Sequence, residues 1–371
     1  MKILVCTNFL PPRIGGIERH TLEIANALSS NDLNDVTVIT HSYDDEESQK
    51  YLSKKVTLLS CPSFVIAHRL PFPNFLSLKF YRLIFQRSWK YDLVVLQSHL
   101  FVLNWIVSFL CRRSPKRLWM NHGSWFIKLT SPILQVCSVL YEKLGMLILK
   151  RTCNHFAAQG TNAAKWASKQ TSLDFKVIFN SINVSLIRNQ QSSFDRRMNS
   201  ILVVSRLIPG KGIENALKVF SELKSLESES NSKPNWTLSI VGPGELDILV
   251  KNRESEGIAY FGSMEHDEVL KQMQQHEFLL QVFDEPGDLT TVMLEAIACG
   301  MYVVSTPIGN DKKIQDLPNL SQVNFDEIPR KLHGKEFDSR VDEIESIHKY
   351  LDLNFSWSTA SRKFEAVGRM P

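Results

Sequence analysis

The chain has 371 residues, 43% apolar and 22% charged, which is the balance of a soluble globular protein of about two domains and excludes a disordered chain. Its net charge of +4 conceals an asymmetry: between Ser53 and Arg151 fifteen Lys and Arg stand against two acids, Asp92 and Glu142, so the rest of the chain is acidic. So basic a stretch points to an anionic membrane surface or a lipid-linked phosphate, and away from nucleic acid, since no nucleic-acid recognition module accompanies it.

MKILVCTNF reads as a first strand, with no basic and apolar leader before it, so export is not expected. Gly15 and Gly16 come directly before the amphipathic helix GIERHTLEIANALSS. Glycines there let a ligand approach the backbone, and the helix N-terminus favours its negative charge. DVTVITH and YDLVVLQSH read as buried strands on either side of RLPFPNFLSLKFYRLIFQRSWK (69 to 90), whose interleaved cations and aromatics suggest an interfacial amphipathic segment. LFVLNWIVSFLC (100 to 111) is too short to span a bilayer and is expected to be a buried helix. RLWMNHG then places His122 on a loop after a strand, where a neutral imidazole can exchange a hydrogen bond with a hydroxyl substrate. A long apolar helix from about Pro132 to Lys150, HFAAQGT and KVIFNS complete the first half, and the polar run 187 to 199 reads as a linker. The six cysteines (Cys6, Cys61, Cys111, Cys137, Cys153, Cys299) have no C-x-x-C or metal-ligand spacing and read as reduced core thiols of a cytoplasmic protein.

The pattern then restarts with ILVVSRL, IENALKVFSELKSL, WTLSIVG, IAYFG, HDEVLKQMQQ, EFLLQVF, TTVMLEAIACG and MYVVST. Arg206 and Lys211 stand five residues apart in the Pro-Gly turn between the first strand and helix of this half. Unpaired N–H groups at the helix mouth, a guanidinium fork and a mobile ammonium together suit a diphosphate. Glu295 lies in an apolar helix and needs partners, either paired ribose hydroxyls or an internal salt bridge. Alternating β and α elements predict two doubly wound parallel sheets with a cleft between them, and ligands bind at the carboxyl ends of such strands.

PPRIGGIERHTLEIANAL, the NHG segment, VVSRLIPGKGIENAL, SIVGPGEL and VMLEAIACGMYVVSTPIGN, in this order and spacing, resemble the retaining glycosyltransferases of family 4. The resemblance covers nearly the whole chain and implies the α/β GT-B fold: two Rossmann-like domains, 1–186 and 187–353, with a final helix (354–371) crossing back to the first. It implies that Arg206 and Lys211 hold the diphosphate of a nucleotide-sugar donor and stabilise the leaving group, and that Gly15 and Gly16 meet the donor phosphates or the acceptor. His122 then lies beside the donor sugar and Glu295, the second glutamate of the family's E-x7-E pattern, binds the ribose hydroxyls. The first glutamate of that pattern falls on Gly287, so Asp288 is expected to replace it, with Glu285 as the alternative and the backbone of Leu289, Thr290 and Thr291 lining the sugar.

The activity so implied is metal-independent transfer, with no cofactor beyond a UDP- or GDP-sugar co-substrate, to a glycan acceptor. That acceptor is expected to be lipid-linked, in the synthesis of O-antigen, capsule or exopolysaccharide. The expected place is the inner face of the cytoplasmic membrane. A catalytically degenerate binding or scaffold protein and a sugar-nucleotide epimerase are the alternatives.

Overall fold

The structure, a computed structural model, describes residues 1–13, 15–42, 45–66, 70–85, 88–127, 131–190, 196–229, 235–254, 257–285, 287–335 and 343–370. Arg69, Arg87 and Lys128 of the basic stretch, and Pro286 of the sugar-facing loop, lie outside them. Two compact units form, Met1–Asn180 with Trp357–Pro371, and Ser181–Ser356. The division thus falls at 180/181 and 356/357, against the expected 186/187 and 353/354. Asn183 accounts for the first shift: its side chain accepts from Leu186 N–H and caps a helix, Val184–Asn189, that runs into the start of the expected linker, 187 to 199. That helix packs on helices of the second unit.

In the first unit, β1 (Lys2–Cys6), β2 (Asp35–His41), β3 (Val56–Cys61), β6 (Leu93–Gln97), β7 (Lys116–Asn121), β8 (His155–Ala158) and β9 (Lys176–Val177) form a parallel sheet in the order β3-β2-β1-β6-β7-β8-β9. The unforeseen pair β4 (Ser63–Ile66) and β5 (Leu70–Pro73) runs antiparallel beside it. The segment 69 to 90 is therefore not one amphipathic element: among its described residues Leu70–Pro73 form β5 and only Leu78–Phe85 are helical. Period-2 alternation sends Ile3, Val5, Leu93 and Val95 to one face, against helices Gly16–Ser29 and Trp357–Arg369. Leu4, Cys6, Val94 and Leu96 go to the other, against helices Leu78–Phe85, Val102–Leu110, Pro132–Thr152 and Thr161–Thr171. The last helix is fastened by Phe364, fully buried, and by Glu365, whose carboxylate accepts from the side-chain amides of Asn31 (2.8 Å) and Asn34 (2.6 Å). Five cysteines are buried as expected, but Cys137 is exposed, on the outer side of helix Pro132–Thr152.

In the second unit, β10 (Arg197–Val204), β11 (Thr237–Val241), β12 (Ile258–Tyr260), β13 (His276–Gln281), β14 (Tyr302–Ser305) and β15 (Leu320–Gln322) form a parallel sheet in the order β12-β11-β10-β13-β14-β15. Each sheet reverses direction of winding beside its first strand, between β1 and β6 and between β10 and β13. At such a switch point the two flanking loops part, leaving a crevice at the carboxyl ends of the strands.

Candidate active site

The crevice between β10 and β13 collects the second unit's predicted residues. Arg206 is exposed and Lys211 half-buried in the turn that leaves β10. Burial and the Arg206 charge both lower the Lys211 pKa below the ordinary 10.5. Two cations held close enough to repel, one of them partly desolvated, make a place that an anion stabilises. The turn is closed by Ile208 N–H on Arg206 O (3.0 Å) and Lys211 N–H on Ile208 O (3.3 Å).

Glycines allow three loops to pack there backbone against backbone. A Cβ on Gly212 would lie 1.6 Å from Val282 O, one on Gly242 1.8 Å from Ser205 O, and one on Gly244 2.1 Å from Leu207 O. The cation turn is thereby wedged between the loops that follow β11 and β13. Asn215 Nδ2 donates to Asp284 Oδ1 (2.6 Å) and Phe283 N–H to Thr306 Oγ1 (3.0 Å), which fixes the β13 loop from both sides.

Further along that loop, Gly287 is buried, and a Cβ built on it would lie 2.4 Å from the Phe283 ring. Phe283 thus fills the space that a glutamate at 287 would need. Asp288 is half-buried beside it and Glu285 is half-buried as well. Leu289 is fully buried, so only its backbone is open to a ligand role. Thr290 caps helix Thr291–Ala298 by accepting from Met293 N–H (3.2 Å), which sets the N-terminus of that helix at the end of the loop. Glu295, one turn further, is buried and 2.9 Å from Nε2 of His266, at the start of helix His266–Gln275. The sequence offered a ribose or a salt bridge for this carboxylate; the structure supplies His266, which sequence reasoning missed.

The first unit holds the other predicted residues. Gly15 and Gly16 lie at the N-terminus of helix Gly16–Ser29, and the space around a Cβ on Gly16 is empty to 4 Å. One turn on, His20 is buried with its ring edge-on to His122, centroids 4.9 Å apart, so the glycine helix and the β7 loop meet. Burial holds His20 well below the ordinary histidine pKa.

His122 itself lies between two glutamines. Nδ1 is 3.0 Å from Gln159 Oε1, while Gln159 Nε2 donates to His122 O (2.8 Å), which fixes the Gln159 amide and places the proton on Nδ1. Nε2 is 2.5 Å from the Gln97 amide, whose Nε2 otherwise has no partner; turning that amide over lets it donate to the unprotonated His122 Nε2 and satisfies both. The ring is therefore neutral, and burial lowers its pKa to about 4. Gln97 and Gln159 escaped sequence reasoning, although each follows an apolar strand run, in VVLQSH and HFAAQG, much as His122 does in LWMNH. Among the described residues no group of three or more His, Cys, Asp and Glu is placed to hold a metal ion.

Paired doubly wound units with these strand orders define a GT-B fold. Residues 14–185 match the family model Glycosyltransferase Family 4, and residues 187–315 match Glycosyl transferases group 1. The chain is thus a GT-B glycosyltransferase of the group these two models describe, a class whose co-substrate is a nucleotide sugar. It is similar to the uncharacterized glycosyltransferase MJ1069 of Methanocaldococcus jannaschii, 24% identical over 99% of this chain and 98% of the relative. The gpi3 subunit of phosphatidylinositol N-acetylglucosaminyltransferase from Schizosaccharomyces pombe is 23% identical over 97% of this chain and 79% of its own. Among solved structures, Anabaena Alr3699/HepE in complex with UDP-glucose shares the fold, with a TM-score of 0.67 and 17% identity over 99% of this chain and 98% of that one.

Proposed function

We propose that the protein transfers a sugar, with retention of anomeric configuration, from a nucleoside diphosphate sugar to a hydroxyl of a lipid-linked glycan at the inner face of the cytoplasmic membrane, in cell-surface polysaccharide synthesis. The observation that carries this reading is the Arg206–Lys211 turn, wedged at the β10/β13 switch point by Gly212. A diphosphate bound there meets two side-chain cations and the N-terminus of helix Thr291–Ala298, and these stabilise the charge that develops as the glycosidic bond breaks. Glu295 and His266 hold the ribose hydroxyls, Asp288 faces the sugar, and the leaving phosphate takes the acceptor proton on the same face of the ring. Neutral His122 accepts a sugar hydroxyl at Nε2 in place of the Gln97 amide. The name of the Schizosaccharomyces pombe relative gives a phospholipid as acceptor, which supports a lipid-linked one here.

The test is nucleotide binding by thermal shift and calorimetry with UDP and GDP, repeated on Arg206→Ala and Lys211→Ala. One of the two nucleotides is expected to raise the melting temperature of the unmodified protein. Each substitution is expected to weaken that binding, and to cut turnover about a hundredfold or more once the sugar is known. Absence of a shift with either nucleotide, or an unaltered shift in both variants, overturns the diphosphate assignment.

A further inference from the structure

The four helices on the outer side of the first sheet, Leu78–Phe85, Val102–Leu110, Pro132–Thr152 and Thr161–Thr171, share one packed core. Their other faces point away from it, and one is unusually apolar. On helix Pro132–Thr152, Ile133 (76% exposed), Val136, Leu140 (62%), Leu144 and Leu147 fall at helical spacing along one stripe, with the exposed Cys137 among them. The helix is long and apolar enough to cross a membrane. Its other face prevents that: Met146 and Leu149 are buried in the unit's core, and Tyr141 Oη donates to Leu100 O (2.6 Å). Glu142 accepts from Ile127 N–H (2.8 Å), and a Cβ on Gly145 would lie 2.2 Å from His99 O. A helix bound on one side and apolar on the other lies along an interface.

The neighbouring elements extend the same surface. Helix Val102–Leu110, with Phe109 exposed, packs both on helix Pro132–Thr152 and on β5. The chain leaving β5 exposes Phe75, Leu76 (96%), Leu78, Tyr81 and Phe85. Charge identifies the occupant. The four helices carry Lys79, Arg82, Lys143, Lys150, Arg151, Lys165 and Lys169, and their one carboxylate, Glu142, is 2% exposed and turned inward. A second copy of the chain would set these cations against one another, whereas anionic headgroups neutralise them while acyl chains take up the leucines.

We propose that this face is a docking surface for an anionic bilayer, with helix Pro132–Thr152 lying in the plane of the interface and its Ile133–Leu147 stripe among the upper acyl chains. The inference deepens the lipid-acceptor reading, on which it rests for its purpose though not for its geometry. It also moves the membrane contact expected at residues 69 to 90 chiefly to a helix that the sequence marked only as apolar.

Cys137, alone among the six cysteines in being exposed, provides the probe. An environment-sensitive dye on Cys137 is expected to shift to the blue with vesicles of phosphatidylcholine and phosphatidylglycerol, and the protein to sediment with them. Binding should be far weaker to phosphatidylcholine alone and should fall as salt is raised. The double variant Leu140→Asp/Leu144→Asp is expected to bind these vesicles about a hundredfold less tightly while keeping its melting temperature and its UDP- or GDP-induced shift. Since both positions are exposed, the variant should fold. Failure of the dye to shift at saturating anionic lipid, equal binding by the double variant, or a blue-shifted dye on a dimer in the absence of vesicles overturns the proposal. Nucleotide shifts that survive any of these outcomes leave the transferase reading standing.

Discussion

Gly210 and Gly212 offer a matched pair of perturbations on either side of Lys211. Both have left-handed backbones, with φ of +82° and +77°. Alanine at either position therefore meets a strain of about 1–2 kcal/mol. Their surroundings differ: a Cβ on Gly210 finds nothing within 4 Å, whereas one on Gly212 lies 1.6 Å from Val282 O, well inside the 3.0 Å that real β-carbons keep. Val282 directly follows β13 and is itself buried, so the carbonyl has no easy retreat. Overpacking of this kind adds about 1–3 kcal/mol. Gly210→Ala is thus expected to cost about 1–2 kcal/mol and Gly212→Ala about 2–5 kcal/mol in urea unfolding followed by circular dichroism. Where Gly212→Ala remains folded, relief comes from moving the cation turn off the β13 loop, so nucleotide binding should weaken in this variant and not in Gly210→Ala. Equal stability and equal nucleotide affinity for the two variants would refute the argument that the wedge positions Lys211.

Three further outcomes can be checked. His276 is buried and donates from Nδ1 to Gln272 O, while its Nε2 lies 2.8 Å from Ser239 Oγ and 3.5 Å from Arg197 Nη2, a group that can only donate; Nε2 is thus the acceptor of a neutral ring, and burial lowers its pKa to about 4. The unfolded chain protonates near 6.5 and the native one does not, so this contribution is intact above 6.5 and up to about 3 kcal/mol is lost as pH falls from there to about 4. His41, lowered to about 3 by burial, and His122 add to the same trend; a urea midpoint that stays constant from pH 7.5 to 4.5 would contradict it. Glu295→Gln keeps a hydrogen bond to His266 but removes the charge, and is expected to raise the nucleotide Kd about tenfold with little change in melting temperature; an unaltered Kd would exclude Glu295 from ribose binding. Gln159→Leu removes the acceptor that keeps the proton on His122 Nδ1, so Nε2 is no longer held as an acceptor and turnover should fall while nucleotide affinity holds; a parallel loss of both would place Gln159 in structural support alone.

Alternating runs of apolar residues in the sequence determined the two parallel sheets, because burial on both faces requires such strands and a right-handed crossover requires a helix between them. The same local logic located Arg206, Lys211, His122 and Glu295, since polar residues that end a buried strand or interrupt an apolar helix stand out against their neighbours. The tertiary structure alone decided what those residues touch. His122 meets Gln97, Gln159 and His20, and Glu295 meets His266, across separations of 25 to 102 residues that only the order of the strands brings together. It also decided that Phe283 fills the place of a glutamate at 287, that Gly212 is confined by a carbonyl where Gly210 is not, and which side of helix Pro132–Thr152 is left apolar and uncovered. Helical and strand periods are read from a window of a few residues, whereas packing partners are set by sheet topology and by the space that distant side chains leave.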